Sequence, residues 1–133
     1  MATIKCTVVT PEDTALDEDV SFVVVPMPDG ELGVAAGHSP MIGRLGYGEL
    51  RLKASDGTES RYYVDGGFVQ VADNAVSVLT GRFLKTDQID VAAVKEQFDD
   101  ALKRPIHTDD LLELRSRALD QAAAQLQVAR RAQ

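Results

Sequence analysis

From residue 4 to about residue 86 the apolar side chains recur at every second position or gather in short β-branched runs. In TIKCTVV, Ile4, Cys6 and Val8 alternate with their neighbours, and VSFVVV is a continuous apolar run ending at Pro26. GELRLKA sets Leu50 and Leu52 on one face and Glu49, Arg51 and Lys53 on the other. ESRYYV, GFVQV and AVSVLT follow, separated by ASDGT, DGG and ADN. Short strands between Gly, Asp and Asn turns predict an antiparallel β-sandwich. Within it SDGT, 55–58, predicts a type I′ hairpin turn, because Asp-Gly accepts two positive φ angles. DGG, 65–67, predicts a further turn between Val64 and Phe68.

Beyond Thr86 the period becomes 3.6. Val91, Val94, Phe98, Ala101 and Leu102 fall on one stripe, with Lys95, Glu96, Asp99 and Asp100 turned away. KRPIHT interrupts, since Pro105 lacks a helical donor and moves Arg104 out of the α region. Thr108 then caps a second helix that opens with Asp109 and Asp110. This helix carries Leu112, Leu119 and Leu126 at intervals of seven, joined by Ala122 and Ala129, and ends in Arg130 and Arg131. The predicted lengths are roughly 24 Å and 34 Å at about 1.5 Å per residue. The expected organisation is a β-sandwich over 1–86 followed by an antiparallel helical hairpin over 87–133, whose narrow, alanine-rich stripe buries little area and makes it a moving part.

Composition changes this picture mainly by exclusion. A formal charge of −7 excludes the clustered Lys and Arg of a nucleic-acid surface, and 5% aromatic residues without tryptophan leave few stacking platforms. The single cysteine, Cys6, has no disulfide partner and reads as a small buried hydrophobe. No apolar run reaches the length of a membrane span, and the N-terminal MATIKCTVVTPEDT lacks the pattern of a secretory signal, so the expectation is an intracellular chain brought to any membrane by a partner.

GELGVAAGHSP, 30–40, offers Glu31 and His38 as an acid–base pair with Ser39 as nucleophile. Ser39 is wedged between His38 and Pro40 without a nucleophile elbow, and no third metal ligand stands nearby. The segment reads better as a stiff surface loop, turned by its glycines and Pro40. No phosphate-binding glycine loop occurs. The arginines of the second helix, Arg115, Arg117, Arg130 and Arg131, read by themselves as a solvated face. The residues alone describe an acidic, non-enzymatic sandwich with a detachable hairpin. A free-standing β-sandwich ligand-binding module capped by its helices is the alternative.

DGELGVAAGHSPMI, YGELRLKASDGTESRYYVDGGFVQVADNAVSVLT, DQID and AAAQLQVARR follow one another in the order of the epsilon-subunit family of F-type ATP synthases, which the chain resembles over nearly its whole length. The resemblance implies a non-catalytic rotor subunit with no catalytic residues, metal or cofactor. Its sandwich would grip the gamma subunit and rest on the c-subunit ring, helping to couple proton flow to ATP synthesis. Its hairpin would fold on the sandwich, or extend along gamma toward the alpha/beta catalytic hexamer and inhibit ATP hydrolysis. Glu31 and His38 match the loop that faces the polar loops of the c ring. Arg115, Arg117, Arg130 and Arg131 become candidates for pairing with an acidic segment of the beta subunits. The implied location is peripheral, on the cytoplasmic face of a bacterial inner membrane, reached only through partners. The family's P-G-H is Ala36-Gly37-His38 here. In the segment where ATP-binding members carry I/L-D-x-x-R-A, this chain has Ile89 and Asp90 but Ala93 in place of the arginine, so a phosphate-bearing ligand loses a bidentate partner.

Overall fold

The computed structural model describes residues 2–131. The chain divides into two compact units, Met1–Lys85 and Thr86–Gln133. The first holds eight strands: β1 (Ile4–Val9), β2 (Thr14–Val20), β3 (Phe22–Met27), β4 (Gly30–Ala35), β5 (Met41–Lys53), β6 (Glu59–Ala72), β7 (Ala75–Leu79) and β8 (Phe83–Lys85). The second holds a single 3₁₀ turn, Thr86–Gln88, then α1 (Val91–Leu102) and α2 (Asp109–Arg131), packed on one another as a helical hairpin.

The sandwich is one sheet folded over, in the order β2-β1-β7-β6-β5-β3-β4, with β8 on β6. The long strands β5 and β6 pair along nearly their whole length, from Met41↔Val71 to Lys53↔Glu59. Residues 62–64 of β6 pair with β8, whereas residues 68–72 pair with β7, so the strand leaves one layer and enters the other in between. Gly66 and Gly67 sit at that passage with φ of +73° and +108°. A Cβ on Gly67 would lie 1.8 Å from the Leu79 carbonyl oxygen, so no other residue fits there. The inward residues of both layers form one core, including Ile4, Cys6 and Val8 of β1, Val23 and Val25 of β3, and Leu50 and Leu52 of β5. Val64, Val69 and Val71 of β6 and Val76 and Val78 of β7 complete it. Each such side chain contributes about 1.5–3 kcal/mol by leaving water.

Several expectations are corrected. The sandwich is not wholly antiparallel, because β1 pairs with β7 in parallel, Lys5 opposite Ala75 through Val9 opposite Leu79. DGG, 65–67, is no turn but the passage inside one continuous strand. SDGT does close the β5–β6 hairpin, with Gly57 at φ +91°, yet Asp56 stays out of the left-handed region and its carboxylate instead takes the Thr58 amide at 2.8 Å. The turn is thus not type I′. Two successive positive φ angles occur at Asp73 and Asn74, between β6 and β7, where short polar side chains tolerate them. The segment 30–40 is strand β4 as far as Ala35, and Gly33 belongs to it because the Phe22 ring lies over that position: a Cβ there would come within 2.6 Å of the ring.

In the hairpin, α1 is 12 residues long, about 18 Å rather than 24 Å. It starts late because Asp90 caps it, the carboxylate accepting the Ala93 amide at 3.1 Å. Thr108 caps α2 as expected, its hydroxyl accepting the Leu111 amide at 3.1 Å. The predicted stripe of α2 is buried through its second half and not at its start. Leu112 is exposed and Leu119 and Leu126 are only half-buried, while Ala122 and Ala129 of the same predicted stripe are buried, together with Gln125 and Val128.

Candidate functional surfaces

Glu31 is the second residue of β4, opposite Pro26 of β3, and therefore lies on a strand rather than in a loop. Its carboxylate meets Arg51 of β5, with Nη1 3.2 Å from Oε2 and Nη2 3.5 Å from Oε1. Arg51 Nη1 also lies 3.2 Å from Glu49 Oε1, and Arg61 bridges Glu49 Oε2 at 3.7 Å and Glu59 Oε1 at 3.0 Å. The result is a ladder of three carboxylates and two guanidinium groups on the face opposite Leu50 and Leu52. Glu49 is its anchor, only 3% exposed, and its Oε2 has no hydrogen bond beyond the ion pair. The alternation in GELRLKA assigned Glu49 and Arg51 to this face, but nothing in it signalled that the glutamate is buried.

His38 lies at the other end of β4. Glu31 and Ala35 are four strand residues apart, about 13 Å at roughly 3.3 Å per residue, and His38 follows beyond a turn closed by its own amide on the Ala35 carbonyl at 3.1 Å. No acid–base pair forms between them. His38 Nδ1 stands 2.7 Å from the Ser39 carbonyl oxygen. A carbonyl only accepts, so Nδ1 carries the proton in this contact. The loop is tied down by Asn74, whose Oδ1 accepts the Gly37 amide at 3.0 Å while its Nδ2 donates to the Thr3 carbonyl at 2.8 Å.

A third surface was missed in the sequence. Ile42, Phe68 and Leu79 point away from the core and are 74%, 56% and 49% exposed. Leu79 pairs directly with Phe68 on one side and with Val9 on the other. GFVQV did carry the signal: Val69 and Val71 face inward, so Phe68 must face out.

On α2, Arg117, Arg130 and Arg131 are exposed, and Arg115 is half-buried with its Nε withdrawn from water and without a hydrogen-bond partner. Arg117 lies 3.9 Å from Glu113 one turn back. Between the helices, Val91, Lys95, Leu126, Ala129 and Arg130 line a cleft of about 190 Å³. Ile89 is buried, Asp90 is committed to capping α1, and Ala93 contributes only its amide to that cap. Among the described residues no three His, Cys, Asp or Glu side chains cluster as a metal site, and no helix is long and apolar enough to cross a membrane.

The family profile of the ATP synthase Delta/Epsilon chain β-sandwich domain matches residues 3–86. The ATP synthase epsilon chain of Rhodopirellula baltica is 49% identical over 127 residues, spanning 96% of this chain and 98% of the relative. The chain belongs to the ATP synthase epsilon family. The sodium-ion-specific epsilon chain of Propionigenium modestum, another member, is 30% identical over 97% of this chain and 95% of its own length. A chain in the Euglena gracilis mitochondrial ATP synthase shares the fold, with a TM-score of 0.83 at 24% identity, covering 93% of this epsilon-family chain and 79% of that one. A chain in the Tetrahymena thermophila central stalk and c-ring structure does so at a TM-score of 0.73 and 16% identity.

Proposed function

We propose that this chain is the non-catalytic epsilon subunit of the central stalk of a proton-translocating ATP synthase, joined to gamma and the c ring at the cytoplasmic face of a bacterial inner membrane. Its hairpin restrains ATP hydrolysis by approaching the catalytic hexamer. One observation carries the reading: the likeness to an epsilon chain runs through both units, covering 96% of this chain and 98% of the relative, so sandwich and hairpin belong together. The outward cations of α2, Arg117, Arg130 and Arg131, suit an acidic partner, and the ionic surface around Glu31 together with the half-exposed His38 suits the polar loops of the c ring.

The deciding measurement is ATP hydrolysis by the assembled enzyme with and without residues 87–133. Removal of the hairpin raises hydrolysis, and replacing Arg115, Arg117, Arg130 and Arg131 together with alanine does so to a smaller extent, since exposed pairs contribute about 0–1 kcal/mol each. An unchanged rate with the hairpin gone would remove the inhibitory role. The hairpin itself binds ATP weakly or not at all. It has seven Lys and Arg against nine Asp and Glu over 87–133 and no guanidinium at position 93. Saturable micromolar binding in a calorimetric titration would overturn that statement.

A further inference from the structure

Asp-Gly occurs three times, at 29–30, 56–57 and 65–66, and the fold treats the three differently. An aspartyl side chain followed by glycine closes readily on its own backbone, because no Cβ hinders the attacking glycine nitrogen. What decides the rate is how firmly the carboxyl and its turn are held. Asp56 accepts the Thr58 amide at 2.8 Å, which holds its carboxyl below the usual carboxylate range and so in the less reactive ionised form. Gly57 is held as well, donating to the Ala54 carbonyl at 2.9 Å. Asp65 lies inside β6, where its carboxylate accepts the Tyr63 hydroxyl and its amide donates to the Thr80 hydroxyl at 2.9 Å. Asp29 lacks such restraint. With Pro28 it makes the turn between β3 and β4, and Pro28, Asp29, Gly30 and Glu31 are all exposed. Its carboxylate meets no hydrogen-bond or ion-pair partner among the described residues. A Cβ placed on Gly30 would meet nothing within 4 Å, so the reacting centre and an incoming water both have room.

We propose that Asp29–Gly30 is a site of spontaneous covalent modification, at which the chain passes through a succinimide to an isoaspartyl linkage. The Gly30 amide nitrogen bonds to Cγ of the protonated Asp29 carboxyl. The carbon–hydroxyl bond breaks, and the hydroxyl departs as water with the proton given up by the amide. A second water then opens the ring. Attack at the side-chain carbonyl restores aspartate, whereas attack at the main-chain carbonyl leaves Gly30 linked through Cγ and frees the α-carboxylate. Nothing is oxidised or reduced, and the water lost in the first step is regained in the second. On this exposed turn the freed α-carboxylate is the group that a carboxyl methyltransferase specific for isoaspartate esterifies. The new linkage adds one backbone atom immediately before Gly30. β4 is the edge strand, paired with β3 from Met27↔Gly30 and Pro26↔Glu31 onward, so the insertion falls where its register begins. The displacement reaches the Glu31 carboxylate, which lies 3.2 Å from Arg51. On the reading above this is the surface offered to the c ring, but the modification itself does not depend on that reading.

Full-length chain is aged at physiological temperature and neutral pH, both folded and in guanidinium chloride. Isoaspartate at each Asp-Gly is measured by peptide mass spectrometry with electron-transfer fragmentation. Unfolded, the three sites react at similar rates. Folded, Asp29 leads Asp56 and Asp65 by about tenfold or more, the rate equivalent of one charge-assisted hydrogen bond that must first break. Asp29→Glu, whose longer side chain closes the ring far more slowly, loses the signal. A folded chain in which Asp29 reacts no faster than Asp56, or does not react, would overturn the proposal. Hydrogen exchange of the aged chain is faster in β4 and unchanged in β1 and β7; equal protection of β4 in modified and fresh chain would overturn the effect on the strand.

Discussion

Glu49 sits on the outward face of β5 and is nonetheless almost wholly withdrawn from water, with Arg51 at 3.2 Å and Arg61 at 3.7 Å as its counter-charges. A buried carboxylate that loses its partner is destabilised far more than an exposed pair would suggest. Arg51→Met therefore lowers stability by about 3 kcal/mol, and the double change Glu49→Gln with Arg51→Met recovers most of it. Urea unfolding of the isolated chain measures both, and a loss under about 1 kcal/mol in the single variant would mean that Arg61 alone neutralises Glu49. Cys6 was read correctly as a buried hydrophobe. Burial, then the nearby Glu18 and Asp17 carboxylates, pushes its thiol from the ordinary 9.0 up to about 12. The folded chain thus keeps a proton that the unfolded chain releases between those values. Stability is unaffected by this group below pH 9 and falls as pH rises toward 12. At pH 8 iodoacetamide should label Cys6 only as fast as the protein unfolds; rapid labelling of folded protein would show an accessible thiolate. Glu49 itself escaped the sequence reading, because alternation tells which face a side chain takes and not what covers that face.

At the level of elements, the strongly periodic segments were legible and the glycine-bearing ones were not. β1, β7 and both helices follow from their spacing. β4 was hidden by Gly30, Gly33 and Gly37, although Gly33 serves a strand by making room for the Phe22 ring. β6 was cut in two by Gly66 and Gly67, whose left-handed angles look in sequence like a turn and act in the fold as a bend. Asp90, read by resemblance as the acid of a nucleotide motif, has a local task in the fold, accepting the Ala93 amide at the start of α1. Asp90→Ala removes that cap and costs the helix about 1 kcal/mol. The change appears as reduced helicity at 222 nm and a lower melting temperature, and an unaltered melt would show that the cap is dispensable.

For the whole molecule, the core that runs from Ile4 to Val78 closes entirely within the first unit. A chain stopped at residue 86 should fold in one cooperative transition and still bind gamma. A fragment that is unfolded by circular dichroism would show that the hairpin is a structural brace. The split between sandwich and hairpin was legible because the hydrophobic period itself changes there. The parallel pairing of β1 with β7 was not legible, since strand patterns carry no record of which distant strand lies alongside. For the same reason the apolar row was missed: Val9 and Leu79 are neighbours only because those two strands meet.

That meeting imposes an order on biosynthesis. Lys5 finds its partner Ala75 about 70 residues later, so at about 5–20 residues per second β1 waits roughly 4–14 s on the ribosome for β7 to be made. Until then one edge of β1 stays open beside its hairpin with β2, whose run Asp17, Glu18 and Asp19 keeps charge beside the waiting strand and discourages pairing with a neighbouring nascent chain. Long-range closure of this kind is slow, and the sandwich reaches its final form only once β7 and β8 have been made, just before the helices emerge.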